Sequence, residues 1–130
     1  MPRVITINEP VNELDSCELD CAQLTKEDGT VLTPAALETL TLTLYDIESD
    51  DIVNGLEDAD ILNVGRGTLD TDGHLIVALE SADNPILIAT NDLERRKALI
   101  VGTWNTGKGR TSQEVIYSVR NIHRVPTPPP

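Results

Sequence analysis

The segment RKALIVGTWNTGKGRTSQEVIYSVRNI, residues 96–122, contains two β-rich runs joined by a polar, glycine-containing turn. The runs are Lys97 to Trp104 and Ser112 to Ile122, and the turn is Asn105 to Arg110. This pattern predicts a β-hairpin. Because the first run is apolar on both faces, it predicts a strand that is covered on both sides inside a packed β-structure.

The rest of the chain adds further strands, the clearest in the segment Glu38 to Asp46. There Leu40, Leu42 and Leu44 alternate with threonines, which predicts a strand with one buried face. The other predicted strands are Ser16 to Thr25, Thr30 to Thr33, Ile61 to Val64, Gly67 to Asp70 and His74 to Glu80. Ser81 begins a segment that predicts a single helical turn.

About seven short strands with turn residues between them predict an all-β fold, an immunoglobulin-like antiparallel β-sandwich, with a small barrel as the alternative. Trp104 is expected in the core. The chain of 130 residues suits one domain. We assign residues 1–12 to an N-terminal arm, 13–123 to the sandwich domain and 124–130 to a Pro-rich, extended tail.

The formal net charge of −12 argues against nucleic acid as a partner, because phosphates would repel such a surface. The charge is uneven. Residues 1–65 carry 15 acidic against 2 basic residues, whereas residues 66–130 carry 7 against 8. One interpretation is a solvated acidic face that keeps the protein soluble. The other is an acidic side that meets a basic side of a neighbouring subunit.

The sequence contains no recognisable pairing of a nucleophile with a base, so we expect a protein that is not an enzyme and needs no cofactor. Cys17 and Cys21 lie too far apart on one strand face for a disulfide and are expected to be free thiols. The acid-rich connection 46–60 does not have the spacing of a calcium loop. The chain also lacks an apolar run long enough to span a membrane and a signal peptide, which predicts synthesis in the cytosol.

The segments outside the predicted sandwich are candidates for contacts with neighbouring subunits. The N-terminal arm carries β-forming residues that can extend a neighbour's sheet, the prolines stiffen the tail, and two acids of the 46–60 connection can steer assembly. The alternative is that both ends are frayed. The candidate interface residues are Arg3, Val4, Ile5, Thr6, Ile7, Asp50, Asp51, Pro126 and Pro128.

Several loose motifs in a fixed order cover residues 17–122. They are Thr41 to Asp46, Ile52 to Gly55, Asp60 to Asn63, Gly73 to Leu79, Ser81 to Asn84, Ala98 to Trp104, Gly107 to Arg110 and Val119 to Ile122. Together they resemble a family of small structural proteins encoded by tailed bacteriophages. Where such sequences often carry Trp or Phe in the last strands, this chain has fewer aromatic residues.

The resemblance implies a non-enzymatic component of the virion, made in the cytoplasm of the bacterial host. It implies a place on the head, as capsid decoration or cement, or at the head-to-tail connection. The implied partners are the major capsid, portal or neck proteins and further copies of the chain. The alternative function is a monomeric β-sandwich module that binds a receptor or a carbohydrate; such modules usually expose aromatic residues, which are scarce here.

Overall fold

A computed structural model describes residues 3–26, 28–62 and 66–122 and shows an all-β protein. Its nine strands are β1 (Arg3–Thr6), β2 (Val11–Asn12), β3 (Cys17–Gln23), β4 (Thr39–Asp46), β5 (Ala59–Asp60), β6 (Gly67–Leu69), β7 (His74–Leu79), β8 (Leu93–Trp104) and β9 (Gly109–Arg120). The helical turn predicted at Ser81 is confirmed as a 3₁₀ turn, Ser81–Asp83. The predicted strand at residues 30–33 is reduced to one bridge between Thr25 and Val31.

The strands form two sheets. One has the order β1-β9-β8-β4-β5 with β2 also on β9, and the other has the order β3-β7-β6. The β8–β9 hairpin is confirmed, although both strands are longer than the sequence indicates. Just before the predicted strand at residues 61–64, β5 pairs with β4. Residues 61 and 62 are not in a strand, and residues 63 and 64 lie outside the described residues.

The N-terminal segment differs from the predicted detached arm. β1 and β2 both pair in parallel with β9, and beyond β1 the Ile7 amide donates to the Ile116 carbonyl at 2.8 Å. The β-forming side chains of this segment find an unpaired strand edge within the same chain, so the segment joins the domain. The larger sheet is therefore mixed, which corrects the expectation of a purely antiparallel fold. The predicted tail, residues 124–130, lies outside the described residues.

One apolar cluster joins the two sheets. The predicted inward face of β4 is confirmed, because Leu40, Leu42 and Leu44 are all buried. Strands β7 and β9 bury every second residue in the same way. Branched and linear aliphatic side chains fill most of this core, since the chain has only three aromatic residues.

Trp104 is buried, as predicted, at the end of β8 where the chain turns into β9. The turn residues Asn105, Thr106 and Gly107 all have positive φ, which brings β9 back beside the indole. Trp104 pairs with Gly109, and a Cβ atom built on Gly109 would lie 2.1 Å from Cε2 of the indole. Glycine at this position therefore makes room for the tryptophan ring.

A buried arginine joins the strands at the opposite end of the molecule. Arg96 of β8 is fully buried, and its Nη1 donates to Asp46 Oδ1 of β4 at 2.5 Å. Its Nη2 donates to the Pro85 carbonyl at 2.6 Å and to Glu94 Oε1 at 2.7 Å. A buried cation is costly unless it is paired and hydrogen bonded. Here two carboxylates and a carbonyl bind Nη1 and Nη2, whereas the buried Nε has no hydrogen-bond partner among the described residues.

Glu94 extends this network into the loop before β8. It accepts hydrogen bonds from the Leu87 and Ile88 amides and from the Asn91 side chain, at 2.8 to 2.9 Å. Burial by itself would raise the pKa of Glu94, but the Leu87 amide, Arg96 and the remaining donors outweigh it and lower the pKa below its ordinary value. The carboxylate thus holds the loop in place as an anion.

A second group of buried polar residues begins beside the 3₁₀ turn. Asp83 accepts hydrogen bonds from the Asn54 side chain at 2.8 Å and from Arg66 at 2.5 Å. Next to it, Asn84 donates to the Asp15 carbonyl and accepts from the Tyr117 hydroxyl, both at 2.8 Å. These contacts link three loops, at Asp15, Asn54 and Asp83–Asn84, to one another, to β9 and to Arg66 just before β6.

We expect Glu94→Gln to lower the free energy of unfolding by about 3 kcal/mol at pH 7, because it leaves Arg96 buried with one carboxylate. The pKa of Glu94 is lower in the folded chain than its ordinary value of 4.5. Its contribution to stability is therefore complete above that value and is lost as the pH falls through the folded pKa. Urea unfolding of both proteins should show a difference that shrinks as the pH falls below 4.5.

The control is Glu114→Gln, on the exposed face of the same sheet, which should cost less than about 1 kcal/mol. A Glu94→Gln difference that does not change with pH would contradict the role of the carboxylate charge.

We expect Gly109→Ala to destabilise the fold by about 1 to 3 kcal/mol, because the added methyl group overlaps the Trp104 ring. Trp104→Ala alone should cost about 3 to 5 kcal/mol. In the double variant the added methyl group has room, so Gly109→Ala should lower the free energy of unfolding very little beyond the loss caused by Trp104→Ala. Additive losses in denaturant unfolding would show that Gly109 is needed for another reason.

Candidate interaction surface

Strand β1 has one edge that faces away from the domain. The N–H and C=O of one strand residue point to the same side, and Ile7 uses its amide on β9. By alternation Ile5 also faces β9, whereas Val4 and Thr6 direct their backbone groups outward. This open edge can accept a further strand.

The side chains of this segment divide between the two faces of the sheet. Ile5 and Ile7 are partly buried and pack against the core. Val4, which is 53% exposed, and Thr6 lie on the outer face beside Glu114 and Ile116 of β9. The predicted interface residues therefore remain accessible at Val4 and Thr6, while the two isoleucines anchor the strand. Arg3 begins the strand.

The other described sheet edges are better protected against strand addition. β5 is two residues long and β6 is three. β3 has a register shift between Asp20 and Gln23, with Ala22 at positive φ, and it carries the exposed acids Glu18 and Asp20. Bulges, charges and short length all hinder edge-to-edge pairing. β1 has regular, β-branched residues and none of these devices at Val4 to Thr6.

The remaining predicted interface residues lie elsewhere. Asp50 and Asp51 are exposed in the turn after β4, and the Asp50 amide bonds back to the Asp46 carbonyl at 2.8 Å. β4 is separated from β1 by β8 and β9, so the structure does not bring these acids together with the β1 edge. Pro126 and Pro128 lie outside the described residues.

The sequence-based prediction missed the outer face of β8 and β9, a surface that we call the basic strip. Its apolar centre consists of Leu99, Val101 and Ile116, each only partly buried. The sequence did contain a sign of this surface, because β8 is apolar on both faces. The expectation that both faces are covered is wrong for the described part of the chain, where the core covers only one face and neighbouring side chains within the sheet partly shield the other.

Basic side chains surround this apolar centre. Arg95, Lys97, Arg110 and Arg120 occupy outward positions on β8 and β9, against the single acid Glu114. Lys97 Nζ lies 3.3 Å from Glu114 Oε1 and 5.4 Å from the centre of the Tyr45 ring. Partial burial would lower the pKa of Lys97, but Glu114 and Tyr45 outweigh it and raise the pKa. The strip stays positively charged at neutral pH.

The two cysteines are free, as predicted. Burial is the main cause that raises the pKa of both thiols, to about 12 for Cys21. Within residues 3–26, 28–62 and 66–122, no three His, Cys, Asp or Glu side chains form a group that could hold a metal ion. The same described residues include no helix with the length and apolar character needed to cross a membrane.

Neither the family models nor the curated proteins contain a match to the chain.

We expect neighbouring residues of β8 to differ in their effect on stability. Ile100→Ala removes a buried side chain and should cost about 3 kcal/mol. Leu99→Ala, on the outer face, should cost about 1 kcal/mol because much less apolar area leaves water on folding. Urea unfolding of the monomer measures both. Equal losses would mean that the outer face is covered as completely as the core.

Proposed function

We propose that the protein is a non-enzymatic structural component of a tailed bacteriophage virion. It is placed on the head, as decoration or cement, or at the head-to-tail connection. Its partners there are major capsid, portal or neck proteins and copies of itself. Two features support this proposal: the ordered set of motifs, which resembles that of small virion proteins, and a sheet edge suited to joining subunits.

We also propose that the two sheets form an immunoglobulin-like sandwich. The smaller sheet, β3-β7-β6, has the order of strands B, E and D of that fold, and β9-β8-β4-β5 has the order of G, F, C and C′. The common apolar cluster between the sheets is consistent with a sandwich core. This architecture is a rigid platform that can be repeated by symmetry in a particle.

The observation that carries the proposed function is the open edge of β1. The backbone groups of Val4 and Thr6 point away from β9, so a strand from a neighbouring subunit could bind them without disturbing the domain. Main-chain hydrogen bonds would supply affinity, while Val4 and Thr6 would supply side-chain contacts on the outer face. Two packed isoleucines hold the strand in position for such a contact.

We expect Val4→Pro to leave the domain folded but to abolish its incorporation into particles. Proline removes the outward N–H of residue 4, and its ring blocks a strand that approaches the edge. The inward hydrogen bonds of Ile5 are retained. The measurement is the ratio of this protein to the major capsid protein in purified particles, together with thermal unfolding of the isolated variant.

Two matched variants complete the experiment. Val4→Thr keeps the N–H and should be incorporated normally. Ile5→Pro removes an N–H that faces β9 and should lower stability instead. Normal incorporation of Val4→Pro would rule out the edge as the contact. Absence of the unmodified protein from particles, with specific binding of a receptor or carbohydrate, would favour the monomeric binding module.

A further inference from the structure

We infer that the basic strip on β8 and β9 binds a second copy of the chain, through the acidic outer face of that copy's smaller sheet. This contact goes beyond the virion role and uses a different surface from the β1 edge. It holds or fails independently of any particle.

The charge of the strip contrasts with that of the chain as a whole. Four bases and one acid point outward from β8 and β9, in a protein with a formal net charge of −12. Two of the bases form ion pairs within the chain, Arg95 with Glu48 and Lys97 with Glu114. Arg110 and Arg120 are exposed, and neither forms an ion pair with any described residue. They lie near the two ends of β9, so the unpaired positive charge is found at both ends of the strip. The apolar side chains between them are depleted of charge, as in the centre of many protein interfaces.

The outer face of the smaller sheet has the opposite character. Glu18 and Asp20 of β3 are exposed, beside Ala78 and Ile76 of β7. Among the described outward residues of β3 and β7 the one base is His74, whose Nε2 lies 2.6 Å from Asp20 Oδ1. A modest apolar surface is therefore combined with two carboxylates. The two carboxylates lie close together on β3, so they would pair with Arg120 at one end of the strip while the apolar side chains of the two faces meet.

The complementarity of the two faces, and not the net charge, selects the second copy as the occupant. Two chains that each carry −12 repel one another in most orientations. The basic strip is a surface where an approaching acidic copy is attracted. Because the two faces lie on opposite sheets, the contact is heterologous: the strip of one copy meets the acidic face of the next. Such a contact can repeat along a row of subunits.

The test is a charge exchange on the purified, full-length chain. Sedimentation velocity in about 50 mM salt should show concentration-dependent self-association that weakens in about 500 mM salt, where charges are screened. Arg120→Glu reverses the strip, and Glu18→Lys reverses the acidic face. Each variant alone should self-associate at least about tenfold more weakly. Mixed together, they should associate again, because each reversed face then meets a complementary face.

The control is the double variant Asp51→Lys with Glu57→Lys, which also makes the net charge less negative but alters exposed positions between β4 and β5. It should self-associate at least as well as the unmodified chain. Loss of association in this control would move the contact to the 46–60 connection and overturn the inference. A monomer at every concentration and salt would also overturn it, and so would a mixture of Arg120→Glu and Glu18→Lys that fails to associate.

These outcomes are distinct from those of the particle experiment. If Val4→Pro is excluded from particles while the purified chain stays monomeric, the virion role stands and the stacking contact is wrong. If the purified chain self-associates through the strip but is absent from particles, the stacking contact stands and the virion role is wrong.

Discussion

The structure depends on a buried cation that must be neutralised in place. Arg96 has no access to water, and its partners come from β4, from the start of β8 and from the loop at Pro85. None of these partners could move away without leaving a charge uncompensated in the core. The arginine therefore fixes β4 against β8 and, through Glu94, fixes the loop before β8. Asp83 and Asn84 secure the neighbouring turns in a similar way.

Because these polar contacts lie inside the molecule, the β1 edge and the basic strip remain available for contacts with other subunits. The loops at this end are held by Arg96, Glu94, Asp83 and Asn84, none of which belongs to the β1 edge or the basic strip. The strip and the edge meet at the outer face, where Val4 lies beside Glu114. A partner strand on β1 and a second copy on the strip would thus be neighbours, and their contacts would be expected to influence each other.

The uneven charge of the sequence is partly resolved inside the molecule. Asp46 and Glu48, from the acidic first half, pair with Arg96 and Arg95 from the second. These ion pairs neutralise two bases within the molecule that, from the sequence alone, would be available to pair with a neighbouring subunit. Arg110 and Arg120 remain on the surface, which reduces the predicted basic side to a strip on two strands. The predicted contact between an acidic side and a basic side of neighbouring subunits is therefore proposed for two specific faces, the basic strip and the outer face of the smaller sheet. It is not proposed for the two halves of the chain.

The sequence by itself determined the features that depend on local pattern. Alternation identified the buried faces of β4 and β7, because strand side chains point to opposite faces with a period of two, and the turn residues identified the β8–β9 hairpin. Only the tertiary structure decided that residues 3–6 pair with residues 113–116 and that Arg96 meets Asp46. Backbone hydrogen bonding is available to almost any sequence, so a distant strand partner has no local signature. Likewise, a charged residue is buried only where remote partners converge, and an apolar face stays open only where the fold provides no cover.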